Sequence, residues 1–277
     1  MNELTAKPQN WEAFLKLELR CGQEKTHLVP IKRYGPLTVQ RPFYPEQACC
    51  HVYLLHPPGG IVGGDRLDLQ VVSDENSNGL MTTPGAAKYY LSAGDTAHVT
   101  QQFEVASGAH LEFLPQENIY FPGAQVSSKT SIDVALGSRF MLWEKHCFGR
   151  PANNELFSSG QLISKIEVRQ EGRLLFTEIQ RVDADELVRT SGMRHYPVMG
   201  SFLIYGIDLE KSTLRDLQAI NPSDGVSGIS QPQPQLLIAR YLGNSTHDID
   251  AYFTGLWQWL RPLLLQREAC HPRIWKT

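Results

Sequence analysis

The stretch VTQQFEVASGAHLEF, residues 99–113, contains two short segments in which apolar and polar residues alternate, joined by a polar turn at Gly108. Alternation with a period of two is typical of a strand that buries one face. The glycines of this strand–turn–strand pattern at 79, 108 and 137 are 29 residues apart, and the next, at 172, follows after 35. A near-constant period predicts stacked β-layers that bury their faces on one another, with a plain sandwich of hairpins as the alternative. The pattern covers residues 67–71 with 79–83, 99–105 with 108–113, 132–134 with 137–142, and 165–168 with 172–176.

The sequence before the repeats predicts three more strands. Residues 13–21 alternate cleanly between apolar and polar side chains, and residues 49–55 are more continuously apolar. Residues 27–34 contain Pro30, which cannot donate a ladder hydrogen bond, so this strand is expected at a sheet edge. The chain therefore begins as a β-structure.

Helical patterns occur only near the C-terminus. Residues 209–220 predict a modest helix, and apolar residues spaced i, i+3, i+4, i+7 from Thr246 or Asp248 onward predict a longer one. Pro262 is expected to kink or restart that helix. Residues 221–235 are rich in Pro, Ser, Gly and Gln, which is typical of a mobile loop. We predict one mostly β domain over residues 1–277, with stacked layers and a few helices toward the C-terminus.

Composition excludes several classes of protein. The net charge is −3 and the basic residues are scattered, so no nucleic-acid partner is indicated. The N-terminus has no signal-peptide pattern, and no apolar run is long enough to span a membrane. The five cysteines are odd in number and lack CxxC spacing, which argues against a disulfide framework and a zinc site. We expect a soluble cytoplasmic protein.

The common catalytic motifs are absent from the sequence. There is no P-loop, no GxGxxG followed by a helix, no GxSxG and no HExxH. The most unusual stretch is HPPGGIVGGD, residues 56–65, where prolines restrict the backbone and glycines free it. This loop is either a structural corner or a turn that presents His56 and Asp65 to a ligand. Glu178 is a further candidate, because alternation places it on an apolar strand face where a carboxylate needs a partner, water or a cation.

Several segments closely resemble the UreD (UreH) family of urease accessory proteins. The resemblance is carried by GPLTVQRPFYPE (35–46), the loop 56–65 and TTPGAAK (82–88), and it runs in order from about Trp11 to Thr277. Shorter matching segments are LPQE (114–117), GRP (149–151) and PRIW (272–275).

The resemblance implies a non-enzymatic protein with two β-sheets in a helix-like arrangement. It implies assembly with UreF and the GTPase UreG on apo-urease, and delivery of Ni²⁺ to the urease active site. GTP would then be bound only by UreG, and this chain would hold no cofactor tightly. The family is described as having an internal metal route, which the resemblance associates with Asp65 and Glu178. Glu144 and His56 are further candidates for transient Ni²⁺ contacts.

Two other functions are kept as alternatives. The chain is a pure interaction protein if it holds UreF and UreG on urease while nickel travels elsewhere. It is a metal-dependent hydrolase if His56 and Asp65 converge with a third ligand in an open cleft. Widely spaced carboxylates favour a conduit, because they lower the cost of burying a divalent cation without trapping it.

Overall fold

The computed structural model describes residues 10–276. The prediction about the N-terminus rests largely on residues 1–9, outside the described part. The strands are β1 Glu12–Cys21, β2 Thr26–Tyr34, β3 Thr38–Val39, β4 Cys50–Leu55, β5 Arg66–Ser73, β6 Asn78–Thr82, β7 Ala87–Tyr89, β8 Ala97–Val105, β9 His110–Phe113, β10 Asn118–Tyr120, β11 Gln125–Val134, β12 Arg139–Arg150, β13 Glu155–Leu156, β14 Gln161–Gln170, β15 Arg173–Asp183, β16 Val198–Tyr205, β17 Val226–Gln233 and β18 Leu236–Gly243. The α-helices are α1 Ala184–Val188, α2 Lys211–Gln218 and α3 Thr246–Leu265, and short 3₁₀ turns cover Pro151–Asn153 and Arg273–Lys276.

Two sheets contain all eighteen of the described strands. The seven-stranded sheet has the order β15-β14-β11-β8-β5-β1-β2, and the eleven-stranded sheet follows β17-β18-β16-β12-β9-β6-β4-β3 with β7, β10 and β13 paired beside it. Strands β1, β5, β8, β11 and β14 are parallel neighbours, and so are β4, β6, β9 and β12. The chain therefore winds from one sheet to the other and back, which confirms the predicted stacked layers as a β-solenoid.

The turns between the layers explain how this winding is maintained. Four-residue turns closed by Ser77, Ala109 and Ser138 connect the two sheets, each with an N–H to C=O bond of 3.0–3.2 Å. The left-handed position is taken by Asn76, Gly108 and Gly137 in the three turns. Gly79 is not a turn glycine as the repeat suggested, because it lies within β6.

The fourth repeat departs from the predicted pattern. Strands β14 and β15 pair antiparallel within one sheet instead of crossing to the other. Only Glu171 and Gly172 separate them, and both have positive φ, of 50° and 80°. Such a two-residue turn reverses the chain between adjacent strands, and it is too short to bridge two sheets about 10 Å apart.

Two apolar clusters stabilise the structure. The first fills the space between the two sheets, and the second lies between the outer face of the eleven-stranded sheet and helix α3. Helix α3 runs through Pro262 to Leu265, so the proline lies within it and does not end it. The predicted loop at 221–235 is wrong in part, because it contains strand β17, an edge strand with a register irregularity near its proline. Among the described helices, none is both long and apolar enough to cross a membrane.

Candidate functional site

A band of polar side chains crosses the otherwise apolar space between the sheets. Inward positions on β8, β11 and β14 carry Gln101, Ser128, Thr130 and Ser164, and register pairs Thr130 with Gln101 and Ser128 with Ser164. Glu144 faces them from β12 in the opposite sheet. The Thr130 hydroxyl donates to Glu144 Oε1 at 2.7 Å, and the Ser164 hydroxyl donates to Oε2 at 3.2 Å. We call these five residues the polar band.

Glu144 is buried and ionised. Burial alone would raise the pKa of its carboxyl, but His146, Thr130 and Ser164 hold that pKa below its usual value. His146 Nε2 lies 3.4 Å from Glu144 Oε2, and its Nδ1 is 2.9 Å from the hydroxyl of buried Tyr120. A buried carboxylate with neutral hydroxyl donors and one imidazole retains a negative charge that is not cancelled by a permanent cation.

Glu144 also lies in the wall of two cavities. The first has a volume of about 290 Å³ and extends from Glu144 and Gln101 past His56 to exposed Lys88. The second has a volume of about 270 Å³ and extends from Glu144 past Glu178 to exposed Arg240. Glu144 is the residue that the walls of these two cavities share, and each wall also includes an exposed basic side chain, Lys88 in the first and Arg240 in the second.

His56 presents a free ring nitrogen beside the first cavity. Its Nε2 atom is buried and has no hydrogen-bond partner among the described residues. Burial lowers the pKa of His56, and the nearby charge of Asp65 opposes this effect without overcoming it. The imidazole is therefore held neutral, which is the form that binds metals.

Glu178 lines the second cavity and is fully occupied by donors. Its Oε1 accepts from the Ser201 hydroxyl at 2.8 Å and from the Gln180 amide at 2.7 Å. Its Oε2 accepts from both the Nε and a terminal nitrogen of Arg240, with the Nε contact at 3.0 Å. The carboxylate that alternation placed on an apolar face thus has polar partners, and a cation would compete with Arg240 for it.

Asp65 has a different environment from the other three candidates. Its side chain is buried, and its two oxygens accept the backbone N–H groups of Trp11 at 2.8 Å and Val62 at 3.0 Å. It is not among the described residues that line either cavity. The structure therefore places His56 and Glu144 in the wall of one cavity and Glu144 and Glu178 in the wall of the other, and it uses Asp65 to hold the 56–65 loop against Trp11, just before strand β1. A metal role for Asp65 stays a prediction.

Sequence reasoning missed Gln101, Ser128, Thr130 and Ser164. Each occupies an inward position of an alternating strand, so a polar residue in an apolar register was the available signal. Arg240 was also missed, and its partnership with Glu178 across β18 and β15 has no local sequence pattern.

The comparisons with known proteins agree over the whole chain. The family model described as UreD urease accessory protein matches residues 12–276. The chain is 40% identical over 282 residues to a protein named urease accessory protein UreD from Alcanivorax borkumensis, covering 100% of this chain and 96% of that protein. It is 38% identical over 288 residues to the protein of the same name from Aliivibrio fischeri strain ES114, and 37% over 282 residues to that from Vibrio parahaemolyticus, each covering 100% of both chains.

Proposed function

The chain belongs to the UreD family of urease accessory proteins, and from this premise we propose that it is a cytoplasmic scaffold that delivers Ni²⁺ to apo-urease. It assembles with UreF and UreG, and UreG supplies the GTP hydrolysis. The chain itself catalyses no reaction and holds nickel only in transit. The ion passes between the two sheets, from the first cavity through the polar band to the second cavity.

The observation that carries this proposal is the position of Glu144. It contributes to the walls of both cavities, so one buried anion lies on the path between His56 and Glu178. Each cavity is many times larger than the roughly 10–15 Å³ that one water molecule requires. A partly hydrated cation therefore has room on both sides of the polar band.

The ligand set along the path suits transit better than storage. A divalent ion meets the imidazole of His56, the carboxylate of Glu144 and the carboxylate of Glu178 one after another. A buried carboxylate lowers the cost of taking the cation out of bulk water. Each of these three positions offers a single oxygen or nitrogen ligand, so none of them forms the closed set of ligands that would retain the ion.

A steric plug tests the route without changing any charge. We expect Ser128→Phe, which points into the first cavity, to reduce nickel incorporation into urease at least tenfold. Ser127→Phe is the matched control, because Ser127 is the preceding residue of the same strand and its side chain points away from the cavity. Nickel per urease active site is measured by mass spectrometry after activation with UreF, UreG and GTP.

Assembly of the complex must be measured alongside nickel content. Overpacking costs about 1–3 kcal/mol, so thermal unfolding and co-purification with UreF establish that the variant is folded and assembled. If Ser128→Phe assembles and urease still fills with nickel, the internal route is rejected and the pure interaction function replaces it. If nickel loss occurs only together with loss of assembly, the result favours the interaction function as well.

A further inference from the structure

A second cluster of metal-ligating groups lies on the other side of the eleven-stranded sheet. A carboxylate oxygen of Glu46, the thiol of Cys49 and a ring nitrogen of His51 lie within 4.8 Å of one another. Cys49 and His51 are two residues apart where the chain enters β4, so both side chains face helix α3. Gln47 has a φ of 60°, and this left-handed residue turns Glu46 back toward them. We call these three residues the Cys49 cluster.

A buried arginine holds the carboxylate of the cluster in place. Arg261 on α3 is fully buried and donates to Glu46 at 2.6 and 2.8 Å and to Glu112 at 2.9–3.1 Å. Burial alone would raise the pKa of Glu46, but hydrogen bonds from His51 and Arg261 hold it below its usual value. The carboxylate is thus ionised and held in one orientation. Carboxylates that bind metals are commonly oriented in this way by hydrogen bonds from residues around the site.

Charged groups of both signs surround the cluster. The carboxylates of Glu46 and Glu112 both contact the guanidinium of Arg261, and a ring nitrogen of His51 lies 2.6 Å from Glu46. Burial and these carboxylates raise the pKa of Cys49, so its thiol adds no charge. When a metal binds, the S–H bond of Cys49 and the N–H bond of His51 Nε2 break while metal–sulfur and metal–nitrogen bonds form; the thiol proton leaves to solvent, and the neutral imidazole carries its proton on Nδ1 instead.

We propose that Glu46, Cys49 and His51 form a binding site for one divalent first-row transition-metal ion, separate from the polar band. Sulfur, imidazole nitrogen and carboxylate oxygen together are the ligands of Zn²⁺, Co²⁺ and Ni²⁺. This site is distinct from the polar band, because the two lie on opposite faces of the eleven-stranded sheet. Cys49 packs in the apolar cluster between that sheet and α3, whereas neighbouring Cys50 packs between the two sheets.

The His51–Glu46 pair requires only a small local movement. His51 Nε2 and Glu46 Oε1 are 2.6 Å apart, and metal bonds of about 2.0–2.1 Å hold two ligand atoms about 3 Å apart. The pair must therefore open by less than about 1 Å. His51 also borders a cavity of about 540 Å³ between Tyr53 and the segment 271–274. This cavity gives the ion access and leaves room for water as a fourth ligand.

Cobalt spectroscopy on the purified full-length protein tests this site. Titration with Co²⁺ is expected to produce a thiolate-to-cobalt charge-transfer band that saturates at one ion per chain. Cys49→Ser should abolish the band and weaken binding at least tenfold, while Cys50→Ser, the adjacent buried cysteine on the other face, should leave both unchanged. Glu144→Gln and Glu178→Gln should also retain the band, so failure of the proposed nickel route leaves this result standing.

Two outcomes overturn the proposal. One is a wild-type protein without a charge-transfer band at saturating Co²⁺, and the other is an undiminished band in folded Cys49→Ser. X-ray absorption of the wild-type protein loaded with Zn²⁺ provides a test that needs no variant. One sulfur atom in the metal's coordination shell supports the site, and coordination by oxygen and nitrogen alone rejects it.

Discussion

Replacing Glu144 by Gln removes the charge at the centre of the proposed route and leaves the shape of the side chain almost unchanged. The amide can still accept a hydrogen bond from Thr130 or Ser164, so the side chain has a reason to keep its position. Hydrogen bonds to a charged group contribute about 1.5–3 kcal/mol, but the neutral amide also avoids the cost of burying a charge. We expect a net loss of at most about 2 kcal/mol, seen as a modest fall in melting temperature.

The effect on nickel should be far larger than the effect on stability. At an effective dielectric constant of 20, two unit charges 4 Å apart interact by about 4 kcal/mol, and a divalent ion doubles this value. Solvent in the cavities and local relaxation reduce it, yet about 1.4 kcal/mol already changes an equilibrium tenfold. Nickel incorporated into urease should therefore fall at least tenfold. Glu104→Gln, an exposed residue of β8 with the same change of charge, is the control.

The same variant has a defined dependence on pH. The folded-state pKa of Glu144 is lowered, so its contribution to stability is present above the unfolded value of about 4.3 and is lost as pH falls through the folded value. Between pH 6 and the acid transition, the wild type should lose more unfolding free energy than Glu144→Gln. Normal nickel content in an assembled Glu144→Gln complex would refute the route, and parallel pH profiles would refute the assignment of charge.

Three further predictions concern neighbouring features. Asp65→Ala leaves two partly buried N–H groups without their acceptor and should cost about 1–3 kcal/mol in urea unfolding, and a loss below about 0.5 kcal/mol would contradict the structural role. Arg240→Gln frees Glu178 and should tighten Ni²⁺ binding in calorimetry several-fold, with a stability change below about 1 kcal/mol because the arginine is half-exposed. Unchanged affinity would show that Arg240 does not compete with the ion. Gly149→Ala should lower the melting temperature, because φ is +79° and an added Cβ would lie 2.2 Å from the Glu155 carbonyl, costing more than about 1 kcal/mol.

Local patterns predicted the elements of the fold well. Alternation in β1, β5, β8 and β11 depends only on neighbouring residues, and the edge position of β2 follows from one proline. The 3.6-residue spacing of α3 was equally clear, and the structure starts that helix at Thr246. Strand β17 was missed because its residues are of types common in turns. Its strand conformation depends on pairing with β18, which is visible only in the folded sheet.

The candidate site was less predictable than the fold. Glu178 was named from strand alternation and Glu144 through the family resemblance, but nothing along the chain indicated that one cavity wall links them. The 56–65 loop was expected to aim Asp65 at an internal route, whereas the fold places His56 beside the first cavity and turns Asp65 toward the backbone of Trp11.

By itself the sequence determined the strands, the late helix, the missing catalytic motifs and the family, because each follows from side-chain periodicity or from ordered segments of the chain. Only the tertiary structure decided which polar groups meet. Glu144 reaches Thr130 and Ser164 across two sheets, and Glu46 reaches Arg261 across 215 residues. Such contacts depend on how the layers stack and on whether a turn keeps the next strand in the same sheet or leads it to the other one. Neither is encoded in the local alternation of apolar and polar residues.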